Sequence, residues 1–542
     1  MENKYWIIDT NDLLKIKDFF IGYTISEEGE LFLNKKPKFL DGTGCYTYIE
    51  ILSDKVIIGQ DFLGMQGIYH YRNGERNIFS NGYEKIVNYI LNLKYSLTLD
   101  KYFCIQYIFS NEEPLNMNDT MINEIKRIGK DYLIEIYLKE DKINFIEKNY
   151  EINSIKVNSK EAIDILDKWH NKWCNVYRNL VKKDHPLIID LSGGMDSRIC
   201  FGIFLNSNID KNNVIINRNM PKESSYQKNY EDWEISQEII NKFKLEERCN
   251  LKYYKSILTN NEESKIKIFE EFDNLMFGNS KICYYNSGIF SQPIFHINGI
   301  YGDRNHLFNK IKNFLYDKKE KFKKDMKKED IKILSDLMDN YSEIIIKKYE
   351  SKNRPLLLGD YLFEFINRFY GEKITTKIFH NDILICPLAD SSLHKIQINL
   401  EGTKNYFSLY GLIYYRYFKE LINFKFQNNS DKPPRIINEQ EIMFAKRQCE
   451  KYPFNKIKYD FIPNLNSDNK IIYKEEFPIE KIKNILKKRL KKAEKQFVEI
   501  FGKEYFELAI ADLNNKNIRL QNYLTPIVSI CSILNRLNYM DY

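Results

Sequence analysis

The consecutive residues Leu187-Ile188-Ile189-Asp190-Leu191-Ser192-Gly193-Gly194-Met195-Asp196-Ser197 restrict what this chain can fold into more than any other stretch. An apolar run of β-formers follows Pro186 and stops at Ser192, the pattern of a short strand buried in a parallel sheet. Residues 197–205 continue as an apolar helix. Strand, glycine turn and helix in that order put the turn at the carboxyl edge of a sheet, where α/β folds bind ligands. Two glycines let a polyphosphate approach the backbone, and N–H groups opening a helix point positive charge at it. Ser192 and Ser197 can add hydroxyl donors. Asp196 would repel a bare phosphate, so it is expected to hold a magnesium ion together with phosphate oxygens. The string lacks the Gly-Lys-Ser/Thr of a Walker loop and the Gly-x-Gly-x-x-Gly of a dinucleotide turn.

The chain has 542 residues, enough for two or more domains with cores of their own. Its 82 basic and 75 acidic side chains leave a net charge of +7, too modest at this size for a strong nucleic-acid signal. Nine cysteines at 45, 104, 174, 200, 249, 283, 386, 449 and 531 have no short paired spacing and an odd total, as expected of reduced thiols in a cytoplasmic protein. The polar opening has no signal-peptide pattern, and no apolar run reaches membrane-spanning length.

Residues 1–150 are strand-rich, with short β-branched or aromatic runs at 45–52, 55–59, 67–71 and 132–137 between Gly, Asn and Asp turns. From Ser159 onward, Ala162, Ile163, Leu166, Trp169, Trp173, Val176, Tyr177 and Leu180 recur at helical spacing and predict an amphipathic helix leading into the glycine turn. After the turn, 213–217 is a second strand, 232–243 a helix, 251–254 a third strand and 295–299 a fourth, the alternation of a parallel sheet. Beyond about 315 the pattern turns helical; the basic stretch 480–495 is expected to be a solvated helix face. No internal repeat is present.

The string Ser192-Gly193-Gly194-Met195-Asp196-Ser197 resembles the pyrophosphate loop, Ser-Gly-Gly-x-Asp-Ser, of the ATP-pyrophosphatase superfamily, whose members cleave ATP between its α and β phosphates. Gln60-Asp61-Phe62-Leu63-Gly64-Met65-Gln66-Gly67-Ile68-Tyr69-His70-Tyr71, then Ile78-Phe79-Ser80-Asn81, resembles the Asp-x-x-Gly-x-x-Pro-Leu-Tyr-Tyr and Phe-(Ala/Ser)-Ser segments of the asparagine synthetase amidotransferase domain. Ile125-Lys126-Arg127-Ile128-Gly129-Lys130-Asp131-Tyr132-Leu133 is similar to that family's Ile-x-x-Leu-x-Pro-Gly-x-x-Leu segment. The three signatures run in the family's order. Glutamine-using members carry a cysteine after the initiator Met as the nucleophile. Here Glu2 stands there and the first cysteine is Cys45, a relocated nucleophile being the alternative to loss of glutaminase chemistry.

The resemblance implies an N-terminal Ntn-type αββα sandwich (1–150), a degenerate glutamine amidotransferase-like domain as in β-lactam synthetases and lasso-peptide cyclases. It implies that 155–542 form a parallel-sheet, adenine nucleotide alpha-hydrolase-like (PP-loop) domain with a helical extension from about 315. In the synthetase site it implies ATP contacts at Leu191, Ser192, Gly193, Gly194, Asp196, Ser197 and Gly302, with adenine near Ile216 and Asn217. Gly299-Ile300-Tyr301-Gly302-Asp303 takes the place of the family's Gly-Glu-Gly-x-Asp turn, so that Asp196 and Asp303 would bind the magnesium ion. Ile383-Leu384-Ile385-Cys386-Pro387-Leu388-Ala389-Asp390 resembles Glu-Val-Arg-x-Pro-Phe-Leu-Asp, and Lys404, with Lys432 as rival, is the lysine expected to stabilise the acyl-adenylate transition state. Two glutamates of the pattern are Ile300 and Ile383, which leaves the amine-activating group unassigned; Tyr301 and Asp382 lie one residue off. The implied activity is ATP-dependent amide-bond formation from small-molecule or peptide carboxylates and amines. Asparagine synthesis from ammonia, or a non-catalytic nucleotide-binding scaffold or sensor, are the alternatives. The oligomeric state is left open, a homo-oligomer included.

Overall fold

A computed structural model describes residues 4–13, 16–40, 42–109, 118–140, 142–148, 154–183, 185, 187–218, 227–245, 253–254, 293–300, 326–350, 378, 381–396, 409–426, 437, 439–465, 471–472, 479–514 and 523–537. The class is mixed α/β, with antiparallel sheets, one four-stranded parallel sheet and helices.

Ten strands come first: β1 (Ile7–Asp9), β2 (Phe19–Ile25), β3 (Leu31–Leu33), β4 (Gly44–Ile51), β5 (Lys55–Gln60), β6 (Tyr69–Asn73), β7 (Arg76–Ser80), β8 (Ile125–Arg127), β9 (Tyr132–Tyr137) and β10 (Ile143–Glu147). They form two antiparallel sheets, ordered β1-β7-β6-β8 and β10-β9-β5-β4-β2-β3. Side chains alternate across a strand, and the pattern uses both faces. Phe79 packs with Trp6, Ile8, Ile49, Val56, Ile58, Ile134 and Ile136 between the sheets, whereas its neighbour Ile78 faces outward with Tyr69 and Tyr71. That outer face is covered by α1 (Tyr83–Asn92) and α2 (Lys101–Phe109). The Asp61 turn after β5 is organised by its carboxylate, which accepts from the backbone N–H groups of Leu63 (2.9 Å), Met65 (3.1 Å) and Tyr46 (3.2 Å). Gly64 has φ +60°, and a Cβ there would lie 2.7 Å from the Lys130 Cβ, so the Asp-x-x-Gly spacing has a steric reason.

Helix α3 (Lys160–Lys182) starts where its sequence predicts, because the Ser159 side chain caps it by accepting from Ala162 N at 3.1 Å. Its apolar positions sit in the same core as the parallel sheet. That sheet runs β12 (Val214–Asn217), β11 (Leu187–Asp190), β14 (Ile294–Ile297) and β15 (Asp382–Ile385) in spatial order, all parallel, with Ile189 opposite Ile216 and Ile297. Helices α4 (Met195–Asn206) and α5 (Gln227–Lys242) follow β11 and β12. The third strand expected at 251–254 behaves differently. β13 (Tyr253–Tyr254) pairs antiparallel with β16 (Ile471–Ile472), so a distant segment, not the neighbouring βα unit, supplies its hydrogen bonds.

The later helices are α6 (Lys328–Glu350), α7 (Leu409–Tyr417), α8 (Lys419–Ile422), α9 (Glu439–Lys451), α10 (Ile479–Phe501), α11 (Lys503–Asn514) and α12 (Leu524–Leu537). α10 buries Ile482, Leu486, Leu490, Ala493 and Phe497 while Lys487, Lys488, Lys491, Lys492 and Lys495 face solvent, the solvated basic face expected of it. Helices α10, α11 and α12 share their core with α1 and α2, so this part of the chain's end packs on the outer layer of the amino-terminal sandwich. No helix among the described residues is long and apolar enough to cross a membrane.

The amino-terminal sheets are also joined to the parallel-sheet core. Tyr23, Ile25, Cys45, Phe62, Leu63 and Met65 belong to the same buried cluster as α3 and β11. Thr43 and Ser391 hydroxyls lie 3.1 Å apart in that junction, and Asn179 Nδ2 donates to Gly29 O at 3.1 Å.

Candidate nucleotide site at the edge of the parallel sheet

The glycine turn leaves β11 and opens α4, with Gly194 as the extended N-cap residue at φ −75°, ψ 165°. Ser192 and Ser197 close it from within. Their hydroxyls are 2.7 Å apart, Ser192 N donates to Ser197 Oγ at 3.1 Å, and Gly194 N donates to Ser192 Oγ at 3.1 Å. Gly193 N donates to the carboxylate of Asp232, which α5 brings over the turn and buries to 4% exposure. A carboxylate thus occupies one of the anion-seeking N–H groups of the turn.

Asp196 sits in the first turn of α4, where the helix dipole favours a negative charge. Its Oδ1 accepts from the Tyr410 hydroxyl, and Tyr414, one turn later on α7, donates to Met195 O at 2.7 Å. Burial raises the Tyr414 pKa, so it remains a donor. Beneath the turn lies Arg198, wholly buried, donating to the carbonyls of Gly193 (3.0 Å), Lys425 (2.8 Å) and Phe424 (3.1 Å) and facing the Phe426 ring at 4.0 Å. Burial lowers its pKa, but an arginine retains its charge. This fixed cation offsets the Asp232 carboxylate that lies over the turn.

The adjoining strand ends complete the edge. Asp190, the last residue of β11, accepts from Asn217 Nδ2 at the end of β12 (2.6 Å) and from Asn298 Nδ2 just past β14 (2.6 Å). Asn298 Oδ1 in turn accepts from Ile300 N at 2.8 Å. Gly299 lies flat against the turn, since a Cβ on it would meet the Asp196 C and Cβ at 2.5 Å and Ser197 N at 2.6 Å.

Of the expected ligand-contacting residues, Ser192, Gly193, Gly194, Asp196 and Ser197 come together at this edge. Leu191 and Ile216 do not present side chains there; both are buried in the core, Leu191 continuing the ladder through Leu191 N to Asn217 O at 2.7 Å. Asn217 and Arg218 are what β12 carries to the edge, Arg218 stacking on Trp233 and donating to Gln237 of α5. Gly302, Asp303, Tyr301, Lys404 and Lys432 lie outside the described residues.

Ile383 is wholly buried inside β15, and Asp382 starts that strand at the amino edge, where it pairs with His296 Nδ1 at 2.8 Å. Parallel strands point their carboxyl ends at the site, so neither residue of β15 reaches it. Asp390 is held by Lys172 Nζ (3.1 Å), Trp173 Nε1 (2.9 Å) and Ser392 Oγ (2.7 Å). Burial pushes the Asp390 carboxyl up, but Lys172 and Ser392 outweigh it and leave the group below its ordinary value. It docks the 387–395 segment onto α3. Cys45 is wholly buried in β4, inside the core and not in a position to act as a relocated nucleophile.

Among the described residues no group of three or more His, Cys, Asp or Glu side chains is arranged to hold a metal ion. Asp196 nevertheless offers the hard carboxylate oxygen that suits magnesium, whose other ligands come from phosphate and water.

Asp232, Arg198, Asn298, Tyr410, Tyr414 and Lys425 all escaped the sequence reading. Lys425 is the more exposed partner of Glu231 (2.7 Å), which raises its pKa, and its carbonyl shares the Arg198 guanidinium with Gly193. Only Arg198 carried a local signal, as a charge within an otherwise apolar helix. No protein-family model matches this sequence, and no curated protein matches it.

Proposed function

We propose that this chain is an ATP-dependent amide-bond-forming ligase of the asparagine synthetase type, without glutaminase activity of its own. Its amino-terminal sheets are read as a degenerate Ntn-type αββα sandwich and its parallel sheet as the core of a PP-loop domain. The observation that carries the reading is the Ser192–Ser197 turn at the carboxyl edge, whose Gly193 and Gly194 N–H groups, held by Asp232 and the Ser192 hydroxyl, would turn to phosphate, with the Arg198 guanidinium on the Gly193 carbonyl.

In this reaction a carboxylate oxygen attacks the α-phosphorus of ATP, the bond to the β-phosphate bridge breaks and pyrophosphate leaves. An amine or ammonia nitrogen then attacks the acyl carbon, loses a proton and expels AMP. Gly193, Gly194, Ser192 and Ser197 would bind the leaving pyrophosphate, with Arg198 stabilising its charge from below. Asp196, with Asp303, would hold a magnesium ion, which supplies charge neutralisation to the phosphates. Lys404, with Lys432 as rival, is proposed as the lysine that offsets charge on the reacting phosphate. The substrates are proposed to be small-molecule or peptide carboxylates and amines in the cytoplasm.

A second reading, nucleotide binding without turnover, is favoured by the apolar residues Ile300 and Ile383 where amine-activating glutamates would stand. Pyrophosphate release measured against panels of carboxylates and amines separates the two. Asp196→Asn keeps the Tyr410 contact on its oxygen and is expected to lower pyrophosphate release at least a hundredfold. Undiminished release by this variant rejects the assignment.

A further inference from the structure

We propose that Asp190 and Asn298 are positioning residues: a carboxylate–amide clamp across three strand ends that sets the Asn298-Gly299-Ile300 turn against the glycine turn. The proposal rests on the nucleotide reading given above and extends it to residues that touch no phosphate.

The orientation of the Asn298 amide is determined twice. Its Nδ2 donates to Asp190 Oδ2 and its Oδ1 accepts from Ile300 N. A rotated amide would set its NH2 against the Ile300 N–H and its oxygen against a carboxylate, losing both bonds. Residue 190 must therefore present an acceptor to Asn298. Its second oxygen accepts from Asn217, so one side chain ties the ends of β12, β11 and β14. Gly299, between the two anchored residues, has its backbone pressed on Asp196 and Ser197 with no room for a Cβ. Held this way, residues 298–300 are fixed against the glycine turn. A displacement of about 1 Å at a reacting centre costs on the order of a hundredfold in rate, which makes a rigid clamp useful there.

An exchange of partners tests this on the full-length protein, with magnesium and ATP as the probe. Asn298→Asp opposes two carboxylates and is expected to raise the Kd for ATP tenfold or more. Asp190→Asn alone is expected to be milder, because the Asn217 amide can rotate to offer its oxygen. The double exchange Asp190→Asn with Asn298→Asp rebuilds every bond: the new amide donates to residue 298 and accepts from Asn217, and the new carboxylate still accepts from Ile300 N. It is expected to return the Kd to within threefold of wild type, measured well below the Tm. A double variant as weak as Asn298→Asp, or an Asn298→Asp variant that binds as tightly as wild type, overturns the proposal. Wild-type protein that fails to bind ATP rejects the nucleotide reading and the positioning role with it. In that case the clamp geometry is still judged separately, by whether the exchange restores a Tm lowered in Asn298→Asp.

Discussion

Gly299→Ala is the most direct probe of the edge. The added methyl would stand 2.5 Å from two Asp196 atoms and 2.6 Å from Ser197 N, where ordinary contact begins at 3.4 Å, so the gap must widen by about 0.9 Å. Neither side yields cheaply. Two of the opposing atoms are backbone in the first turn of α4, tied down by Tyr410 and Tyr414, and behind Gly299 the chain is anchored through Asn298 to Asp190. Overpacking of this kind costs about 1–3 kcal/mol. At roughly 2–4 °C per kcal/mol for a domain of ordinary size, the Tm should fall by about 2–12 °C. The functional loss should be larger than the stability loss, because the methyl separates the two turns that meet at the proposed phosphate site: pyrophosphate release is expected to drop about a hundredfold. Thermal unfolding and a pyrophosphate-release assay on the same preparation give both numbers. A variant with wild-type Tm and wild-type release refutes the close-packed edge.

Lys172→Met removes the cation beside wholly buried Asp390 and should destabilise the protein by about 3–5 kcal/mol, seen as an earlier denaturant midpoint; an unchanged midpoint counts against the buried pair. His170 is stacked on Tyr417 at 4.4 Å and accepts from Asn206 at 3.1 Å, and burial lowers its pKa from 6.5 to about 4. Below pH 6.5 the unfolded imidazole takes up a proton that the folded one refuses until about pH 4, so stability present above pH 6.5 is lost across that window, by about 3 kcal/mol in all. His170→Phe keeps the stacking and should flatten the acid limb of a Tm-against-pH curve; an identical limb in the variant contradicts the assignment.

Much of the edge was legible locally. The strand at 187–190, the helix that follows and the Ser159 cap depend on neighbours within one turn, so hydrophobic period and capping chemistry reveal them. Of the antiparallel strands, β4, β5, β6 and β9 were legible for the same reason, with β9 found at its predicted limits, whereas β2 and the shorter strands were not. What escaped were partners far apart in sequence. Asp232 reaches Gly193 across a helix, Tyr410 reaches Asp196 from α7, and Lys425 meets Gly193 only through Arg198. No periodicity records such meetings. The β13–β16 pair likewise joins Tyr253 to Ile472, and two-residue strands carry too little pattern to declare a partner.

Ser192, two glycines, Asp196 and Ser197 between an apolar strand and an apolar helix specify the turn locally, its two serine hydroxyls closing it from within. Tertiary structure decided what surrounds it. The parallel order β12-β11-β14-β15 brings Asn217, Asp190 and Asn298 together, while the same register carries Asp382 to the opposite edge and leaves Ile383 in the core. Backbone preference acts over a few residues, whereas the choice of which side chains face a ligand follows from strand register and helix packing.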